Sequence, residues 1–110
     1  MGTMTSSVVT QAALKAIADR LRERYGAERV LVYGSVAHGT STEHSDIDLL
    51  VVAPTTERFY QRIGSALAVV RDISLGLPLA PIVLTPEELS VRLARGDQFV
   101  QEIVETGVAL

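Results

Sequence analysis

Two aspartates one residue apart, Asp46 and Asp48, stand at the head of a hydrophobic run, DIDLLVV. In an extended strand, residues two apart project from one face, about 6.5–7 Å apart along the chain. Carboxylates that close and partly buried repel each other unless a cation lies between them or one keeps its proton. Ile47, Leu49 and Val51 make the opposite face apolar, and Leu50 and Val52 continue the acidic face as core. Unpaired acids at the buried end of such a strand are costly. The bland alternative has both acids pointing into water and capping a turn with Ser45. Upstream, Gly34-Ser35 directly follows another hydrophobic run, RVLVY, and ten residues separate Ser35 from Asp46. A glycine there permits a tight turn or close approach of a ligand. If the chain turns helical at Ser35, its free N–H groups and hydroxyl suit a phosphate. If the two runs pair, an anion cradle and a divalent-metal site stand side by side. A nucleoside triphosphate with magnesium needs that arrangement, hard oxygen ligands for the metal and amide donors for the phosphates.

The surrounding sequence supplies elements to hold these groups. Leu14, Ile17, Leu21 and Tyr25 recur at helical spacing over about residues 7–25, with Ser6 or Ser7 as cap and Gly26 as stop. Strands are predicted over Arg29–Tyr33, Asp46–Val52 and Leu79–Leu84, the last an edge or irregular strand because it contains Pro81. One helical turn fits after Gly34. Thr55 or Thr56 caps a helix whose inward stripe is Phe59, Ile63, Leu67, Val70 and Ile73. Thr85-Pro86-Glu87-Glu88 opens another, running to about Arg95. Asp97 caps a last helix, with Phe99, Ile103 and Val104 inward and Gly107 ending it. Tyr25, Phe59 and Phe99 are expected in the core. The expected fold is one α/β domain over residues 1–110, three to four strands in a small mixed sheet flanked by about four helices.

The chain has 110 residues, 47% of them hydrophobic, and a formal charge of −3. That length suits one domain with one core. With no cysteine, disulfide scaffolds and thiolate chemistry are excluded. The acidic balance argues against a nucleic-acid partner, and no apolar run is long enough for a membrane span. A soluble, cytoplasmic protein is the expectation. Rival chemistries fail on detail. Gly34 to Ser41 has threonine where a P-loop needs lysine. The G-x-S-x-G elbow that would present Ser35 with His38 as a hydrolase is absent. His38 and His44 are expected as solvated loop residues, and Arg20, Arg22, Arg24 and Arg29 as a salt-bridged surface.

The stretch YGSVAHGTSTEHSDIDLLVV resembles the minimal nucleotidyltransferases, small members of the DNA polymerase beta superfamily, through Gly34, Ser35, Gly39, Ser45, Asp46, Ile47, Asp48 and Leu49. The leading helix, the TPEEL segment and the closing FVQEIVETGVAL are also typical of that family. The resemblance implies transfer of a nucleotidyl group, AMP from ATP, to an acceptor hydroxyl with release of pyrophosphate. Asp46 and Asp48 would bind Mg2+ and carry catalysis, and Gly34, Ser35 and Ser45 would hold the phosphates.

One departure from the family pattern matters. The superfamily has a third carboxylate on a later strand, two residues past the proline of a G-L-P segment; here that position is Ala80, and no acid occurs between Asp72 and Glu87. Glu43 and Glu87 are the possible substitutes. His38 stands where many relatives have arginine, which would weaken a phosphate contact and make it pH-sensitive. The resemblance further implies the antitoxin half of a bacterial pair whose other half is an all-helical HEPN-type protein, the acceptor of AMP. The alternative is a nucleotide-binding antitoxin that neutralises its partner by binding alone. Small-molecule adenylylation ranks last, because 110 residues leave little room for a substrate domain.

Overall fold

The computed structural model describes residues 11–42 and 45–110. In chain order the elements are α1 (Gln11–Arg24), β1 (Arg29–Tyr33), α2 (Ser35–His38), β2 (Ile47–Val52), α3 (Phe59–Val70), β3 (Leu79–Leu84), α4 (Pro86–Ala94), α5 (Gln98–Thr106) and β4 (Val108–Ala109). The strands form one sheet in the order β3-β2-β1-β4. β1 runs antiparallel to both β2 and β4, whereas β2 and β3 are parallel and joined through α3. Four strands and a mixed sheet agree with the expected fold, and the additional helix is the single turn at Ser35. The Ser6 or Ser7 cap of α1 lies outside the described residues.

The sheet is covered on both faces, so its central strand is apolar almost throughout. On one face α1 and α3 pack Leu14, Ile17, Leu21, Ala66 and Val70 against Val30, Val32, Ile47, Leu49 and Val51. On the other, Leu89, Val100 and Ile103 of α4 and α5 meet Leu31, Leu50, Val52 and Leu84. Pro81 is tolerated because β3 is an edge strand. Thr85 accepts a hydrogen bond from the Glu88 N–H at 3.1 Å while the Glu88 carboxylate accepts from the Thr85 N–H at 2.9 Å, the capping box expected there. Asp97 accepts from Val100 N–H at 3.2 Å, capping α5. Among the described residues no helix is long and apolar enough to cross a membrane.

Three expectations are corrected. Helix α3 starts after Arg58 rather than at Thr55 or Thr56, and Thr55 instead accepts from Glu57 N–H at 3.0 Å in the preceding turn. Its inward stripe is Arg62, Ala66 and Val70, which turns Phe59 (46% exposed) and Ile63 toward solvent. The reason is Arg62. Its guanidinium is buried yet satisfied, bidentate to Glu88 at 2.6 and 3.1 Å and donating to the carbonyls of Glu57 and Val83. Phe59 lies over that guanidinium, 5.7 Å from ring centroid to Cζ, instead of entering the core. Phe99 is likewise not core: it is 54% exposed, and the inward face of α5 is Val100 and Ile103. Arg20 pairs with Asp72 at 2.7 Å and Arg22 with Asp19 at 3.1 Å, in keeping with a salt-bridged surface.

Candidate active site

β1 ends where the chain must reverse direction, and Gly34 makes that reversal possible. Its φ of 75° and ψ of −151° lie in a region essentially restricted to glycine. The turn leads straight into α2, whose first intrahelical bond is His38 N–H to Gly34 C=O at 3.1 Å. The N–H groups of Ser35, Val36 and Ala37 therefore precede the helix's own hydrogen bonding. The Ser35 hydroxyl makes no hydrogen bond among the described residues. Gly39 ends α2 in the left-handed conformation, φ 74°.

The returning chain brings the aspartates to this turn. β2 pairs with β1 so that Asp48 faces Tyr33, the residue immediately before Gly34. A Cβ on Gly34 would stand 2.5 Å from Asp48 Oδ2, so any other residue would collide with that carboxylate. Gly34 of the turn and Asp48 of the strand, separate in sequence, thus stand against each other. Asp46 is exposed and lies just before β2, while Asp48 is its half-buried second residue. Burial, and then the charge of Asp46, push the Asp48 carboxyl above the ordinary aspartate range. Burial and the Asp48 charge push the Tyr33 phenol up as well. Ser45 behaves differently from Ser35: its hydroxyl accepts from Thr42 N–H at 2.9 Å and its own N–H donates to Thr42 C=O at 3.1 Å. That closes the loop entering Asp46 rather than leaving the hydroxyl open.

On the far side of β2, Ala80 is the register partner of Asp48. The parallel alignment is fixed by Ile47 N–H donating to Pro78 C=O at 2.8 Å. A methyl group therefore stands beside Asp48 where a third carboxylate would complete the site. Glu87 lines a different cavity with Val91, Arg92 and Arg95. Glu43 and His44 lie outside the described residues, among which no group of three or more His, Cys, Asp or Glu is gathered. The donor set fits one hard divalent cation: two carboxylates of like charge, one of them partly desolvated, with room kept beside Asp48 Oδ2 by a glycine.

A cleft of about 270 Å³ opens beside Gly34 and His38, bounded by Tyr33 and by Phe99, Glu102 and Thr106 of α5. His38 is exposed, as expected, but it is the last residue of α2 rather than a loop residue, and it also lines this cleft. The α5 residues were not legible as site residues, since nothing in their spacing distinguishes them from a surface stripe.

A mixed sheet with a Gly-Ser turn set against an Asp-x-Asp strand is the architecture of a nucleotidyltransferase. The chain belongs to the nucleotidyltransferase domain family, whose model matches residues 14–109. It is 33% identical over 81 residues to the protein of Methanocaldococcus jannaschii named "Putative protein adenylyltransferase MJ1305". That match covers 66% of this chain and 53% of the relative, so the chain spans about half of that protein's length. The fold is similar to the crystal structure of a "putative nucleotidyltransferase" from Sulfolobus solfataricus, with a TM-score of 0.52 and 25% identity over 73% of this chain and 70% of the other.

Proposed function

We propose that this protein is a Mg2+-dependent adenylyltransferase that moves AMP from ATP to a hydroxyl on a helical, HEPN-type partner protein. The observation that supports this reading is the 2.5 Å approach between the Gly34 Cβ position and Asp48 Oδ2, which sets the turn against that carboxylate. The similarity to a protein named as a protein adenylyltransferase supports AMP as the transferred group and a protein as its acceptor. The acceptor oxygen forms a bond to the α-phosphorus as the bond to the bridging oxygen breaks, and pyrophosphate leaves with that electron pair. Asp46 and Asp48 hold the divalent ion, which when bound neutralises charge developing on the phosphoryl oxygens. Gly34 offers open backbone and Ser35 its hydroxyl to the phosphate tail. The acceptor proton passes to solvent or to a base on the acceptor protein, since Ala80 stands beside Asp48 in place of a carboxylate.

ATP labelled at the α-phosphate, with Mg2+ and a purified HEPN-type helical protein, tests the reading. Label passing to the partner, and lost with Asp46→Ala and Asp48→Ala together, is the expected result. Folded wild-type protein that transfers none contradicts it. A second reading rests on Ala80 beside Asp48: the chain binds nucleotide and neutralises its partner by occlusion. Partner inhibition that persists unchanged in the double alanine variant favours that reading over catalysis.

A further inference from the structure

Phe99 is an aromatic ring that the core does not use. It is 54% exposed, yet it is held edge-on to Tyr33, with ring centroids 5.8 Å apart and planes at 84°. An edge contact leaves a ring face free to stack. Tyr33 packs with the second core cluster and faces Asp48 across the β1–β2 pair, so its ring belongs to the carboxylate face of the sheet. The cleft adjoins the aspartates through Gly34, which borders the cleft and abuts Asp48. Its far wall adds one acceptor-only group, Glu102, and one hydroxyl, Thr106.

We infer that this cleft binds the nucleoside half of the triphosphate, a purine bearing an exocyclic amine stacked on Phe99. This deepens the function proposed above and rests on it. The phosphate tail runs from Gly34 toward the aspartates, and the base extends the other way, toward α5. Stacking on an exposed aromatic needs only a π-face, and Glu102 accepts from the exocyclic amine or a ribose hydroxyl. A purine fills a cleft of about 270 Å³ better than a pyrimidine does.

Calorimetry of Mg·ATP and of Mg·tripolyphosphate, which lacks the nucleoside, tests the assignment. Phe99→Ala weakens Mg·ATP roughly tenfold, leaves Mg·tripolyphosphate unchanged, and Phe99→Trp restores ATP affinity. Circular dichroism of each variant confirms the fold, since the side chain is half in solvent. Equal loss for both ligands, loss for neither, or CTP binding as well as ATP overturns the inference. So does a Phe99→Ala variant that binds ATP normally but no longer modifies the partner, which assigns the cleft to the acceptor. Wild-type protein that binds neither ligand refutes the functional reading itself, a different failure.

Discussion

Replacing Gly34 with alanine separates the stability of the turn from the chemistry of the site. At φ 75° and ψ −151° the backbone is in a region essentially closed to L-residues, and occupying it costs on the order of 1–3 kcal/mol. The new methyl would also lie 2.5 Å from Asp48 Oδ2. That oxygen is the end of a side chain, so the carboxylate swings away, adding little to the unfolding loss but displacing a metal ligand. Gly39→Ala is the matched control, left-handed at φ 74° with nothing within 4 Å of its Cβ position. Its strain is about 1–2 kcal/mol. Urea unfolding should therefore show both variants destabilised by a similar amount, whereas calorimetry with Mn2+ and ATP should show binding lost in Gly34→Ala alone. Wild-type binding by Gly34→Ala, or equal loss in Gly39→Ala, would refute the claim that the turn is built around Asp48.

Asp48 titrates above its ordinary range, so the folded state favours its protonated form; the stability this gives is present at low pH and lost as pH rises through the raised value. Asp48→Asn should accordingly raise apo stability at neutral pH in thermal melts while abolishing Mn2+ binding. For wild type, metal binding should fall off in acid at a higher pH than for an ordinary aspartate. Ala80→Asp places a carboxylate beside Asp48, and should tighten Mn2+ binding while lowering apo stability at neutral pH through added like-charge repulsion. Arg62→Met leaves the Glu57 and Val83 carbonyls without their donor and should lower the unfolding free energy by about 3 kcal/mol. Its partner Glu88 is held below the ordinary glutamate range by the Arg62 guanidinium, so the pair's contribution is present at neutral pH and disappears as pH falls through that lowered value. The stability gap between wild type and Arg62→Met should therefore narrow in acid without closing, because the two carbonyls lack their donor at any pH.

Local signals that depend on few residues were legible in the sequence. The β-branched runs, the Thr85-Pro86-Glu87-Glu88 start and the Asp97 cap each carry their structure within a few neighbouring residues, and all three appear within one residue of where expected, β2 starting at Ile47 rather than Asp46. The Gly-Ser and Asp-x-Asp motifs were legible as a candidate pair, and the pairing of β1 with β2 sets Asp48 opposite the residue before Gly34. Ala80 could be counted from Pro78 because a parallel strand without a bulge keeps its register with β2. Non-local compensation was not legible. Arg62 occupies the inward stripe of α3 only because Glu88, 26 residues away, neutralises it, and that rotation expels Phe59 and Ile63. The same limit hid Phe99, whose partner Tyr33 lies on another element.

In the proposed function Asp46 and Asp48 hold a divalent ion against the phosphates lodged at Gly34 and Ser35. Paramagnetic Mn2+ added to isotopically labelled protein with a non-hydrolysable ATP analogue measures this directly. Broadening should begin at the amides of Gly34, Ser35, Asp46 and Asp48, and vanish in the Asp46→Asn, Asp48→Asn double variant. Broadening centred elsewhere, or unaltered by that variant, would contradict the account.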